Sequence, residues 1–231
     1  MIYEIDFLTS DEVRRINEQY DKTTTWKDGV VSIGENVVDP NFKVSKQLDP
    51  QGVQYRYCMD VIQKKLRSNK DIASVFLLDD LTPPLMTQYD TGGFYGKHVD
   101  SIDIQNLRTD HSITVFLNDP DDYEGGELSI QLGDTWHHFK LKAGKALLYP
   151  TGVIHEIRQV TSGHRRVALM WAKSMVDDAF IRYELINFAR GIQNILPFMH
   201  EKEEDVTKIQ DLIVPFEQVR SNILRVYGNI S

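Results

Sequence analysis

Apolar positions recur at helical spacing near both ends of the chain and alternate in short runs through its middle. Residues 1–8 (MIYEIDFL) alternate as a strand does. Thr9-Ser10-Asp11-Glu12 then reads as a helix start, with Thr9 or Ser10 as cap and acids in the first turn. The helix runs through VRRINEQYDK, with Val13, Ile16 and Tyr20 on one face. Residues 23–36 are rich in Thr, Gly and Asp, with Trp26 expected as the core anchor of a short strand, and 41–51 reads as loop. A second helix is predicted over 52–68, with Tyr55, Cys58, Val61, Ile62 and Leu66 near helical spacing. The run ASVFLLDDLTPPLMTQYD (73–90) reads as extended, and Pro83-Pro84 divides it into two strands.

From Met86 to Ala172 short β-rich pieces follow at regular intervals: 111–119, 126–132, 135–141, 145–150, 153–160 and 165–172, with Gly- and Asp-rich turns between them. Such spacing predicts a sandwich or barrel. A turn at Thr161-Ser162-Gly163 is expected to fold the last two pieces into a hairpin. After Lys173 the pattern returns to helical, in two segments joined by Pro197 and the charged run HEKEED. The tail from about Val176 carries Phe180, Tyr183, Leu185, Ile186 and Phe188, too much apolar surface for a free linker, so it is expected to pack on the barrel.

Composition narrows the class. The 231 residues are 41% hydrophobic and 26% charged, as in an ordinary globular chain. A net charge of −8 argues against binding a phosphate backbone as the main role. One cysteine, Cys58, excludes an internal disulfide and suits a reducing compartment; as a helix residue it reads as packing, not as a nucleophile. No signal peptide and no apolar run of membrane-spanning length is expected, so a cytoplasmic location is predicted.

The candidate chemistry lies in QYDTGGFYGKHVD (88–100). His98 and Asp100 are two apart, so on an extended segment their side chains share a face, roughly 6–7 Å apart, and can close on one metal ion. His155, in PTGVIHEI, is the third ligand candidate. His137 and His138 face opposite sides of one strand and suit no shared site; His111, His164 and His200 read as surface or structural. Arg165 is the second key residue. With Val167, Leu169 and Trp171 it shares one face of RRVALMW, and a guanidinium inside a mostly apolar barrel is costly unless it meets an anion. An internal salt bridge is the plain alternative. Arg166 is expected to point outward. Two histidines and a carboxylate leave open positions on a metal, the facial triad of non-haem Fe(II) oxygenases; zinc is the other metal to consider.

Together YDTGGFYGKHVDS, DHSITVFLNDPDDYEGGEL and LKAGKALLYPTGVIHEIRQVTSGHRRVALMW resemble the Fe(II)- and 2-oxoglutarate-dependent dioxygenases of the prolyl-4-hydroxylase superfamily, above all the PKHD-type hydroxylases. The likeness is strongest over 83–178. It implies a mainly β fold with flanking helices: a double-stranded β-helix (jelly-roll, cupin-like) barrel, with N-terminal helices and a C-terminal helical region. The implied domains are 1–175, with the β-helix core at about 84–174, and 176–231. It also implies iron at His98, Asp100 and His155, and 2-oxoglutarate at Arg165 with Tyr89 nearby. O₂ is the further co-substrate, and ascorbate a candidate reductant. Tyr95 is expected as a core or substrate-pocket aromatic, and Gly125-Gly126 as a structural turn. The implied activity hydroxylates a peptidyl proline or a small molecule, releasing succinate and CO₂. A nucleic-acid demethylase is disfavoured, because Trp171 stands where such enzymes carry a further Arg. A non-catalytic metal-binding module is disfavoured by the intact triad with Arg165.

Overall fold

The computed structural model describes residues 2–32, 39, 42–68, 70–202 and 206–229. The N-terminal part forms β1 (Tyr3–Asp6), α1 (Ser10–Lys22), β2 (Trp26–Asp28), β3 (Lys43–Val44), β4 (Lys46–Leu48) and α2 (Val53–Ser68). Thr9 is the cap of α1. Its hydroxyl accepts from the Glu12 amide, and the Glu12 carboxylate accepts from the Thr9 amide at 2.7 Å, a reciprocal capping box. Val13, Ile16 and Tyr20 are buried on one face, as their spacing predicts. Tyr55, Cys58 and Ile62 of α2 are buried too, and burial pushes the Cys58 thiol up to about 12. Two expectations change here. The stretch expected as loop holds β3 and β4, strands too short to show an alternation. Trp26 is half-buried on the last strand of its sheet, beside Tyr20 and under the Lys46 ammonium, rather than a core anchor. Part of the 23–36 segment and Asn41 lie outside the described residues.

The chain continues through α3 (Lys70–Val75), β5 (Leu78–Leu81), β6 (Leu85–Asp90), β7 (Phe94–His98), β8 (Asp103–Ile104) and β9 (Leu107–Arg108). Next come β10 (His111–Phe116), β11 (Tyr123–Gly125), β12 (Leu128–Leu132), β13 (Thr135–Phe139), β14 (Lys145–Pro150), β15 (His155–Ile157) and β16 (Val160–Ser174). Two helices close it, α4 (Ala179–Lys202) and α5 (Val206–Tyr227). Ala73 to Val75 are helical, not extended: an unbroken apolar run carries no period to tell a buried helix end from a strand. Two strands do flank Pro83-Pro84.

The larger sheet runs β1-β14-β10-β16-β6-β4-β2, and the smaller β13-β12-β15-β7-β3. Tyr89, Phe116, Leu147, Tyr149 and Val167 of the larger and Tyr95, Leu128, Ile130 and Ile157 of the smaller form one buried cluster, so the sheets face each other across it. Two facing sheets are the sandwich the strand spacing allows and the jelly-roll arrangement the resemblance implies.

By compactness the chain divides into residues 1–68 with 81–172, and residues 69–80 with 173–231. In the second unit Arg182, Tyr183, Leu185, Ile186 and Ala189 of α4 and Ile209 of α5 are buried, while Phe180 is 72% exposed. The Arg182 guanidinium donates to the Val176 and Asp177 carbonyls. Pro197 lies inside α4 rather than ending it, and Pro215 inside α5. A proline removes one i→i−4 bond while the flanking turns keep theirs. His200 to Lys202 are therefore helix, and the rest of the charged run lies outside the described residues. Among the described residues no helix is long and apolar enough to cross a membrane.

Candidate functional site

Strand pairing brings the three expected metal ligands together. β7 and β15 are antiparallel neighbours with His98 directly opposite His155, and Asp100 follows two residues beyond His98. The His98 Nε2 lies 3.7 Å from Asp100 Oδ1, and the His155 Nε2 3.7 Å from Asp100 Oδ2. One ligand atom from each of the three residues lies within 4.8 Å of the others. Both rings are oriented from behind. The His98 Nδ1 is 2.7 Å from the Gly96 carbonyl and the His155 Nδ1 3.0 Å from the Val153 carbonyl. A carbonyl only accepts, so each Nδ1 carries the proton and each Nε2 presents its lone pair to the centre, the arrangement common to metal-ligating histidines. Burial, reinforced by the neighbouring His155, pushes His98 down to about 4, which keeps it neutral. Tyr95 stacks on the His98 ring at 3.6 Å between centroids, which makes it a pocket aromatic.

Asp100 is held from the opposite sheet. Its Oδ2 accepts from Ser112 Oγ of β10 at 2.6 Å and from Trp171 Nε1 of β16 at 2.8 Å. Two donors on one oxygen leave Oδ1 as the better metal ligand. The sequence places Trp171 on the inner face but does not show it as the donor to Asp100. Ser112 gives no signal at all, since a serine in a strand is ordinary.

The triad opens on a pocket enclosing about 500 Å³ of unfilled space, part of it continuous with solvent, and lined also by Lys43, Tyr89, Thr114, Tyr149 and Leu169. Arg165 lies in the shared core with no exposure, under the rings of Tyr89 (5.4 Å) and Phe116 (5.6 Å). None of its three guanidinium nitrogens has a hydrogen-bond partner, and neither do the buried hydroxyls of Tyr89, Thr114 and Tyr123. Burial pushes Tyr89 up to about 12. Burial also raises the Tyr123 phenol while the Arg165 charge draws it back, although the two lack hydrogen-bond geometry. Nothing in the sequence marks Tyr123 for this position. Gly126, at φ +67, makes room for the arginine: a Cβ there would stand 3.3 Å from Arg165 Cδ and 2.9 Å from Val160 Cγ2. The turn is thus more than a chain reversal.

Two expectations about this strand need correction. The last two pieces do not form a hairpin. β16 begins at Val160 and runs through Thr161-Ser162-Gly163, pairing with β10, β6 and β11, whereas β15 pairs with β12 and β7. His155 and Arg165 therefore belong to opposing sheets. Arg166 is not a surface residue: it is 8% exposed and donates to Gln88 Oε1 (2.8 Å), Asn17 Oδ1 (3.3 Å) and Asp21 Oδ1 (2.6 Å). The outward face of β16 is covered by α1. Of the other histidines, His137, His138 and His200 are exposed, His164 is half-buried, and His111 is fully buried.

Residues 84–173 match the family model described as the 2OG-Fe(II) oxygenase superfamily. A PKHD-type hydroxylase of Acinetobacter baumannii strain AYE is 31% identical over 219 residues, covering 92% of this chain and 95% of that one. A second, from Caulobacter sp. strain K31, is 37% identical over 196 residues, covering 82% and 85%. Among solved structures, a Pseudomonas putida prolyl-4-hydroxylase has a TM-score of 0.53 at 22% identity, covering 75% of this chain and 92% of that one. A Trichoplax adhaerens prolyl hydroxylase, solved with a peptide fragment of hypoxia inducible factor, has a TM-score of 0.58 at 15% identity, with coverage of 75% and 83%. These two share the double-stranded β-helix fold. By its similarity to the curated relatives over nearly its whole length, the chain belongs to the PKHD-type hydroxylases of the 2OG-Fe(II) oxygenase superfamily, and is a 2-oxoglutarate-dependent hydroxylase.

Proposed function

We propose that this chain hydroxylates a peptidyl or small-molecule substrate at an iron held by His98, Asp100 and His155, with 2-oxoglutarate anchored by Arg165. The observation that carries the reading is the fully buried Arg165 guanidinium without a hydrogen-bond partner. A cation so placed is destabilising until an anion joins it, and a dicarboxylate with one end on Arg165 can reach the triad with the other. The donor set fits as well: two neutral imidazoles and one carboxylate on one side suit Fe(II) and leave positions open. Peptide as a substrate class is supported by the prolyl hydroxylases that share the fold, one of them solved with a peptide.

Iron, 2-oxoglutarate and O₂, when bound, supply the oxidising chemistry: the keto acid becomes succinate and CO₂, and one oxygen atom enters a C–H bond of the substrate as hydroxyl. The chain's own residues bind and orient. Gly96 and Val153 fix the histidine tautomers through Nδ1, and Ser112 with Trp171 both donate to Asp100 Oδ2, which would leave Oδ1 to hold the metal. Arg165 would set the depth of the co-substrate, and the buried Tyr89 hydroxyl, which has no hydrogen-bond partner and belongs to a residue lining the pocket, would be a further donor to it. The apolar walls from Leu85, Ile113, Ile157 and Leu169 limit water around the reacting carbon.

The test is anaerobic titration of the purified chain with Fe(II) and then 2-oxoglutarate, followed by succinate measurement on admitting O₂, with and without ascorbate. Succinate formation that requires both iron and 2-oxoglutarate is expected even without substrate. Absence of 2-oxoglutarate binding to the iron-loaded chain overturns the reading.

A further inference from the structure

Tyr123 has no part in the chemistry above, yet its hydroxyl is buried beside Arg165. It comes from β11, which pairs with the start of β16, and Tyr123 stands opposite Gly163, two residues before Arg165. The two side chains converge over Gly126: the point a Cβ would occupy there is 3.1 Å from Tyr123 Cε2 and 3.3 Å from Arg165 Cδ. Lys140 holds the tyrosine in place. Its ammonium lies 4.1 Å from the ring centre and donates to the Tyr123 carbonyl. The Tyr123 hydroxyl itself has no hydrogen-bond partner, and the residue is 4% exposed. Burial keeps the phenol protonated against the pull of the Arg165 charge, so it remains a donor.

A buried hydroxyl without a partner is costly, and so is a buried guanidinium. Here both stand side by side, and neither uses the other. What the pair lacks is an acceptor. A carboxylate offers two oxygens with about four lone-pair sites. The fork of Arg165 would fill two of them, and one phenol on each side would fill the rest. Tyr89, whose ring lies over Arg165 and which lines the pocket, is one such phenol. We propose that the Tyr123 hydroxyl is the other: it donates to the far carboxylate of the keto acid, shares that group with Arg165, and is a co-substrate-binding residue. The inference rests on the functional reading above and adds a donor to it. An O–H donor to a carboxylate is a charge-assisted bond. A keto acid that lacks the far carboxylate leaves cation and hydroxyl unpaired together, which selects against it.

The test is Tyr123→Phe, which removes the hydroxyl and keeps the ring, in the full chain loaded with Mn(II) without O₂. Binding of 2-oxoglutarate is read by calorimetry and is expected to weaken by about tenfold or more, the size of one charge-assisted hydrogen bond. The control probe is 2-oxopentanoate, which has the same carbon chain without the far carboxylate. Its weaker binding, read as the Mn(II)-induced relaxation of its protons, should be the same in wild type and variant. Mn(II) affinity before any keto acid is added should not change. The melting temperature of the ligand-free variant should not fall, because the hydroxyl has no bond to lose there. Unchanged 2-oxoglutarate affinity overturns the assignment. So does an equal loss for 2-oxopentanoate, which would place the effect away from the far carboxylate. A lower melting temperature also overturns it, since the hydroxyl would then be bonded within the fold. Failure of the wild type to bind 2-oxoglutarate appears before any of these comparisons and counts against the functional reading instead.

Discussion

The two faces of β16 carry adjacent arginines in opposite circumstances. Both are buried, Arg165 at 0% and Arg166 at 8% exposure. Arg166, under α1, has neutral and acidic acceptors around its fork, and its backbone N–H donates to Asn118 Oδ1 as well. Arg165, in the core between the sheets, has aromatic rings and no acceptor. Burial alone therefore does not separate structure from function. Satisfaction does: a saturated cation is part of the fold, and an unsatisfied one is poised for a ligand.

The comparison breaks most readily at Arg165. Arg165→Ala is expected to raise the 2-oxoglutarate concentration needed for half-maximal succinate formation by on the order of 10²-fold, with metal binding and melting temperature little changed. Lysine there should recover part of the loss as a point charge without the fork. A drop in melting temperature with normal co-substrate affinity would mean the inner arginine is structural after all. Arg166→Ala should do the reverse. It strips donors from Gln88, Asn17 and Asp21 and is expected to cost about 2–3 kcal/mol in a denaturant titration, while the folded fraction keeps its 2-oxoglutarate requirement.

Smaller effects sharpen the contrast. Trp171→Phe, on the inner face, removes the indole donor to Asp100 and should weaken metal binding roughly tenfold, measured by Mn(II) titration, with stability nearly intact. Tyr20→Phe, on the outer side, removes the hydroxyl that donates to the Val167 carbonyl at 3.0 Å. It should cost about 1 kcal/mol and leave succinate formation per folded molecule as it was.

Much of this was legible beforehand, for a physical reason in each case. The Thr9–Glu12 box and the Val13, Ile16, Tyr20 stripe are local signals, and α1 follows them closely. Side-chain alternation fixed which residues of β16 face the core, so Arg165, Val167, Leu169 and Trp171 were placed together. Alternation encodes a face, however, and not a partner strand. The short gap after Ile157 suggested a hairpin, whereas the chain crosses there to the other sheet. An outward direction at Arg166 does not mean solvent, because Asn17 and Asp21 of α1 lie over it. The unbroken run VALMWA held the correction, since a strand apolar on both faces is covered on both. The donors to Asp100 could not be read at all: Ser112 and Trp171 lie 12 and 71 residues away, and only the closed sheets bring them near.

The way Asp100 is held has a mechanical consequence. The two histidines belong to the smaller sheet, and the carboxylate is tethered to the larger one through β10 and β16. An ion on all three would act as a rivet through the seam of the sandwich. Loading it should slow amide exchange in β7 and β15 and in β10 and β16 together, by the free energy that binding to the folded state alone contributes. Drawing it out with a chelator should let the two layers breathe independently.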